Sequence, residues 1–128
     1  MNADLEVIAD AYLRYYARKQ QADRWASETV GTLIDHNTDE GWRVICVLVD
    51  RATSDEALAY VAAGPLEDLL KKHGPAIIDR VENGSRKNPR LQLALSGVRG
   101  INPGDPIFDR WYALMWKYGF AEGKRNPL

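Results

Sequence analysis

The apolar positions of this chain recur at helical spacing along most of its length. Leu5, Ile8, Tyr12 and Tyr15 or Tyr16 repeat every three or four residues, with Ala9 and Leu13 widening the stripe. That pattern marks an amphipathic helix and predicts one over residues 3–20, capped by Asn2 or Asp4 and closed by Arg18 and Lys19. Trp25, Thr29 or Val30, and Leu33 repeat the pattern over 22–35, although Gly31 inside it costs about 1 kcal/mol relative to alanine. Residues 36–41 are polar and connect to a third segment at 40–52, for which Thr38 or Asp39 is a natural N-cap. Its Val/Ile-rich run would also suit a buried strand. A helix is favoured, because no second such run exists to pair with it and a lone strand has nowhere to send its backbone hydrogen bonds. A helix so apolar belongs in the middle of a bundle, and Cys46 within it is read as a small core hydrophobe.

The second half is divided by glycine and proline. Thr53 and Glu56 have capping-box spacing and open a helix that Gly64 should stop. Pro65 opens the next, with Glu67 and Asp68 in its first turn and Lys71, Lys72 and His73 in its last, an order that complements the helix dipole. Gly74 should end that helix, and Pro75 should begin another reaching Glu82 or Asn83. A polar, basic loop at 83–88 follows. Asn88 and Pro89 open a short helix, 99–104 is a connection, and Asp105-Pro106 opens a last helix at about 106–118. Residues 121–128 read as a frayed tail. The expectation is an all-α fold, one domain over 1–120, with about eight short helices, compatible with HEAT-like pairs although no repeat has a fixed period.

Composition narrows the function classes. Over 128 residues the formal net charge is −1, with 45% apolar and 27% charged residues, which is ordinary for a soluble globular domain and unlike a general polyanion binder. The balance is uneven, since residues 1–85 carry 9 basic and 15 acidic side chains and residues 86–128 carry 8 and 3. One cysteine excludes an intrachain disulfide, no basic-then-apolar leader opens the chain, and no apolar run approaches the roughly 18 residues of a membrane span. A cytoplasmic setting is the expectation.

Candidate chemistry is sparse. Glu67, Asp68 and His73 lie in one helix, where Leu66, Leu69, Leu70 and His73 share a face, so the imidazole points partly inward and must find a partner. The bland reading makes His73 a cap for last-turn carbonyls. His36, beside Asp35, Asp39 and Glu40, could form a metal site only if it met His73, and two histidines and one cysteine are few ligands for a transition metal. No Ser/His/Asp arrangement, metal-ligand spacing or phosphate-binding glycine loop occurs, so no cofactor is expected. The basic C-terminal third places Arg86, Lys87, Arg90 and Arg99 near Trp111, Tyr112, Trp116 and Tyr118. Such a set could stack bases and hold phosphates, but a core-sealing role, or a protein-docking surface at Trp111, Tyr112, Trp116, Arg86 and Arg90, is favoured over nucleic acid.

The run Gly64-Pro65-Leu66-Glu67-Asp68-Leu69-Leu70 with His73-Gly74, preceded by Trp42 and Ile45 and followed by Trp111-Tyr112 and Met115-Trp116, resembles a family of small bacterial domains of unknown function. The likeness covers residues 40–118. It implies an all-helical domain and brings no activity, substrate or cofactor, so no catalytic role passes to Glu67, Asp68 or His73. An immunity or accessory role is an analogy only. The resulting expectation is a non-enzymatic module for a protein partner, with a small enzyme or metal protein using Glu67, Asp68, His73 and His36, or a nucleic-acid binder, as alternatives.

Overall fold

The computed structural model describes residues 2–119, and among these the secondary structure is helical with no strand. The elements are α1 (Asn2–Arg18), a 3-10 turn (Gln21–Asp23), α2 (Arg24–His36), α3 (Thr38–Arg51), α4 (Asp55–Val61), a π turn (Ala62–Leu66), α5 (Glu67–Lys87), α6 (Pro89–Leu95), α7 (Phe108–Leu114) and a closing π turn (Met115–Gly119). Residues 121–128, expected to fray, lie outside the described residues.

The ambiguous segment at 42–51 is helical, and α3 is the centre of the fold. It packs against α1, α2, α4, α5 and α6. Val44, Ile45, Leu48 and Val49 are fully buried, each contributing about 1.5–3 kcal/mol relative to exposure. Packing radiates from this rod.

Three caps differ from expectation. Asn37, in extended conformation, caps α3, its side chain accepting from Glu40 N at 3.1 Å, so neither Thr38 nor Asp39 does. Ser54 caps α4 by accepting from Ala57 N at 3.0 Å, one residue beyond the predicted Thr53. Asp105 closes a turn onto Asn102 N at 2.8 Å, and α7 starts only at Phe108. Asn88 and Pro89 do open α6 as read, with Asn88 Oδ1 accepting from Arg90 N and Leu91 N. On α2 the buried stripe is Ala26, Val30 and Ile34, while Trp25 is 42% exposed. Val30 is common to both readings, but the face is rotated one position from the one through Trp25 and Leu33.

The largest correction concerns Gly64-Pro65, which does not stop a helix, whereas at Gly74-Pro75 the expected break is present as a kink at His73. Helical structure runs on from Asp55 through the π turn to Lys72, and a kink at His73 joins it to a second segment that reaches Lys87, giving one kinked rod. Neither Gly64 nor Gly74 adopts the left-handed conformation of a helix-ending glycine, which Gly100 alone among the described glycines does. Pro65 has no N–H to offer Val61, and the turn widens so that the Glu67 N–H reaches Ala62 O, five residues back. At Pro75 the adjustment falls on His73, whose φ −134° and ψ 26° are non-helical. With α4 and α5 joined, the kinked α5 taken as one, and the expected loop at 83–88 helical to Lys87, the rods among the described residues number six rather than about eight.

Gly74 has a packing reason for its missing side chain. A Cβ there would lie 2.8 Å from Ile107 Cγ2 and 2.9 Å from its Cδ1. The residue before α7 therefore seats directly on the backbone of α5.

Candidate functional site

The three polar residues that the sequence groups on one short helix separate into three tasks. His73 does point inward, and its Nε2 lies 2.9 Å from Ile34 O, a contact that requires the proton on Nε2. Ile34 is in the last turn of α2, where carbonyls lack intrahelical partners, so His73 is a cap supplied by another helix. Beside it Lys72 pairs with Asp35 and holds that carboxyl below its usual range, with smaller contributions from His36 and His73. His36 is exposed at the end of α2. Among the described residues no three His, Cys, Asp or Glu side chains gather as metal ligands would.

Glu67 accepts from Arg99 N at 3.0 Å and pairs with Lys71 at 3.7 Å. The adjoining Gly100 has φ +82°, and a Cβ there would meet Glu67 Oε2 at 2.7 Å. Glu67 therefore fastens the α6–α7 connection to the head of α5. Asp68 is exposed and lines a niche of 110 Å³ with Tyr12, Ser27, Gly64 and Pro65. Burial raises the Tyr12 hydroxyl well above the ordinary tyrosine range, so it stays protonated. Burial also pushes the Cys46 thiol up to about 11, which keeps it out of nucleophilic chemistry near neutral pH.

The C-terminal candidates divide as well. Trp111 is only 7% exposed and belongs to the core, with its indole Nε1 lacking a partner among the described residues. That corrects its assignment to a contact surface. Arg90 donates from Nε to Val49 O at 2.9 Å and from Nη2 to Ala52 O, capping the C-terminal end of α3. Arg99 donates to Ser96 O and Val98 O. Arg86 bonds Asn83 at 2.8 Å and borders a shallow pocket of 200 Å³ with Arg110 and Lys117. Arg110 is held by Asp79 and Glu82, and Glu82 titrates below its usual range because of it. Tyr112 and Trp116 are 39% and 46% exposed. Phe108, Tyr112 and Trp116 form a ladder of rings, stacked at 5.5 Å and then edge-on at 6.5 Å.

A further site escaped the sequence reading. The C-terminal half of α1, the end of α3 and the start of α4 enclose a cleft of 380 Å³ lined by Asp10, Leu13, Arg14, Tyr16, Ala17, Arg18, Arg51, Thr53, Ser54 and Ala57. Arg51 forms a two-point pair with Asp10 at 2.6 and 2.9 Å. Arg14 forms another with the buried Asp23 at 3.3 and 3.0 Å. Asp10 consequently titrates below its ordinary value. The available signal was the stripe Asp10, Arg14, Arg18, one residue per turn on α1.

The fold and these contacts define an all-helical domain whose candidate polar residues mostly join helices to one another. The chain belongs to a family of unknown function, DUF6869, whose model matches residues 15–118. No curated protein and no solved structure matches it. No helix among the described residues is long and apolar enough to cross a membrane.

Proposed function

We propose that the protein is a non-enzymatic helical module, one domain over residues 1–120, that binds a protein partner through Tyr112 and Trp116. The observation carrying this reading is the exposure of both rings, beside the buried Trp111 and the half-buried Phe108 of the same helical stretch. Tyrosine and tryptophan supply large rigid contact area and dominate interface hot spots. Arg86 and Lys117 edge the same helix, so the partner it suits is a segment with an apolar anchor and nearby carboxylates. An accessory or immunity-type role in a bacterial cytoplasm is the setting that this reading adopts.

The enzymatic alternative has less support. Glu67 and His73 are committed to backbone groups of neighbouring elements, and a general acid or base needs a reachable proton in a cleft. Nucleic-acid binding loses ground for a related reason, since Arg90, Arg99 and Arg110 are engaged within the chain.

The test is a pair of variants, Tyr112→Ala and Trp116→Ala, titrated calorimetrically against the proteins encoded beside this one. Expected is loss of one such complex with the melting temperature within about 2 °C of the parent. A fall of many degrees would instead assign the rings to the core. Retained binding by both variants would place the contact elsewhere.

A further inference from the structure

We propose that the cleft between α1, the end of α3 and the start of α4 binds a small organic anion, a carboxylate or phosphate headgroup on a short apolar body. The argument begins with how its guanidinium groups are held. Arg14 and Arg51 each use Nε and Nη2 to grip a carboxylate, which fixes the plane of the fork and leaves Nη1 outside both hydrogen-bonded pairs. Arg51 Nη1 also forms an ion pair with Glu6 at 3.8 Å, so Arg51 is held by two acids, while Arg14 Nη1 lies outside its pair with Asp23. Arg18 has no carboxylate partner among the described residues and lines the same space. A guanidinium held from one side is preorganised to meet an oxyanion from the other.

The remaining lining sets the size and character of the ligand. Leu13, Ala17, Ala57 and the ring of Tyr16 give an apolar wall, and the Thr53 and Ser54 hydroxyls add donors. A volume of 380 Å³ lies at the small end of ligand pockets. Asp10 and Glu6 hold Arg51 and Asp23 holds Arg14, which leaves Arg18 as the lining cation with no carboxylate partner among the described residues, and Asp55 and Glu56 follow directly at the head of α4. That balance suits one headgroup and disfavours a nucleic-acid backbone, whose affinity needs many unopposed cations.

The experiment is titration of the full chain, followed by backbone amide NMR shifts, with phenyl phosphate, phenylacetate, benzyl alcohol and inorganic phosphate. Expected are saturable shifts at Leu13, Ala17, Arg51 and Thr53 with one or both aromatic anions, and none of comparable affinity with benzyl alcohol or inorganic phosphate. Which of the two anions binds identifies the headgroup. Arg18→Gln should weaken binding about tenfold, and Ala17→Leu should abolish it by filling the cleft, both without change in melting temperature. No shift with either anion overturns the proposal. So does equal binding of the neutral alcohol, tighter binding of inorganic phosphate, or a dissociation constant indifferent to both substitutions.

Discussion

The rod from Asp55 to Lys87 contains two glycine–proline pairs that the chain resolves differently. At Gly64-Pro65 the backbone widens into a π turn, and the torsions of Ala62, Leu66 and Glu67 around it remain helical. The side chains nearest Gly64 leave room for a methyl group, the Tyr12 hydroxyl being 3.5 Å from a Cβ there. At Gly74-Pro75 the torsional change is concentrated in His73, and both residues of the break have tertiary duties. His73 caps α2 and Gly74 receives Ile107. The same dipeptide thus makes a local accommodation in one place and a docking point in the other. Proline dictates that a hydrogen bond is missing, while tertiary packing decides what is made of the gap.

The contrast is sharpest at Gly74. Gly74→Ala should destabilise the protein by about 1–3 kcal/mol, the usual cost of overpacking, measured by urea denaturation. In Ile107→Ala the added methyl should be tolerated, so a double-mutant cycle should show strong coupling. Additivity would refute the docking role. Next in size, His73→Ala should cost about 1 kcal/mol through loss of one partly buried hydrogen bond, with faster amide exchange at the end of α2. At the first irregularity, Pro65→Ala should change stability by no more than about 1 kcal/mol, because the widened turn already accommodates the proline. A loss comparable to that of Gly74→Ala would erase the distinction. Gly31→Ala is the reference for a helical glycine with open space around it, and it should stabilise by roughly 0.5–1 kcal/mol.

The smallest effect is electrostatic and also falls at the second break. The Asp35 carboxyl is held below its ordinary value of 3.8, chiefly by its hydrogen bond to Lys72. A depressed folded-state value means that the pair's contribution is complete above the unfolded value and fades as pH falls through the folded one. Both groups are solvent-exposed, so the effect is reduced by salt. Asp35→Asn should flatten acid denaturation slightly below pH 3.8, while the corresponding Asp68→Asn should leave the region around His73 unchanged.

The sequence carried the helical class, the central position of α3 and the inward turn of His73, because all three follow from local periodicity. It could not say that Gly64 lies within a continuous helix, or that the break at Gly74 is only a kink. A glycine before a proline reads as a stop unless a neighbour such as Ile107 is known to occupy the space. The site candidates failed in a related way. Glu67 and Arg90 look like free charges in the chain, and their partners, Arg99 N and Val49 O, lie 32 and 41 positions away. The cleft went unseen because its cations are spread over α1 and α3, and Asp10 and Asp23 make the local charge look ordinary.

The Glu67–Arg99 and Gly74–Ile107 contacts also have a consequence for how the chain can change length. They pin the two ends of the α6–α7 connection to points seven residues apart on the rod, a span of about 10 Å at helical rise. That span acts as a ruler. Inserting one residue between the pins on the helical side would swing one anchor about 100° around the axis and unfasten the connection. The exposed turn at Asn102–Gly104 has no such constraint. Natural length variation in this part of the family should therefore collect in that turn and be absent from residues 67–74, as a comparison of related chains can determine.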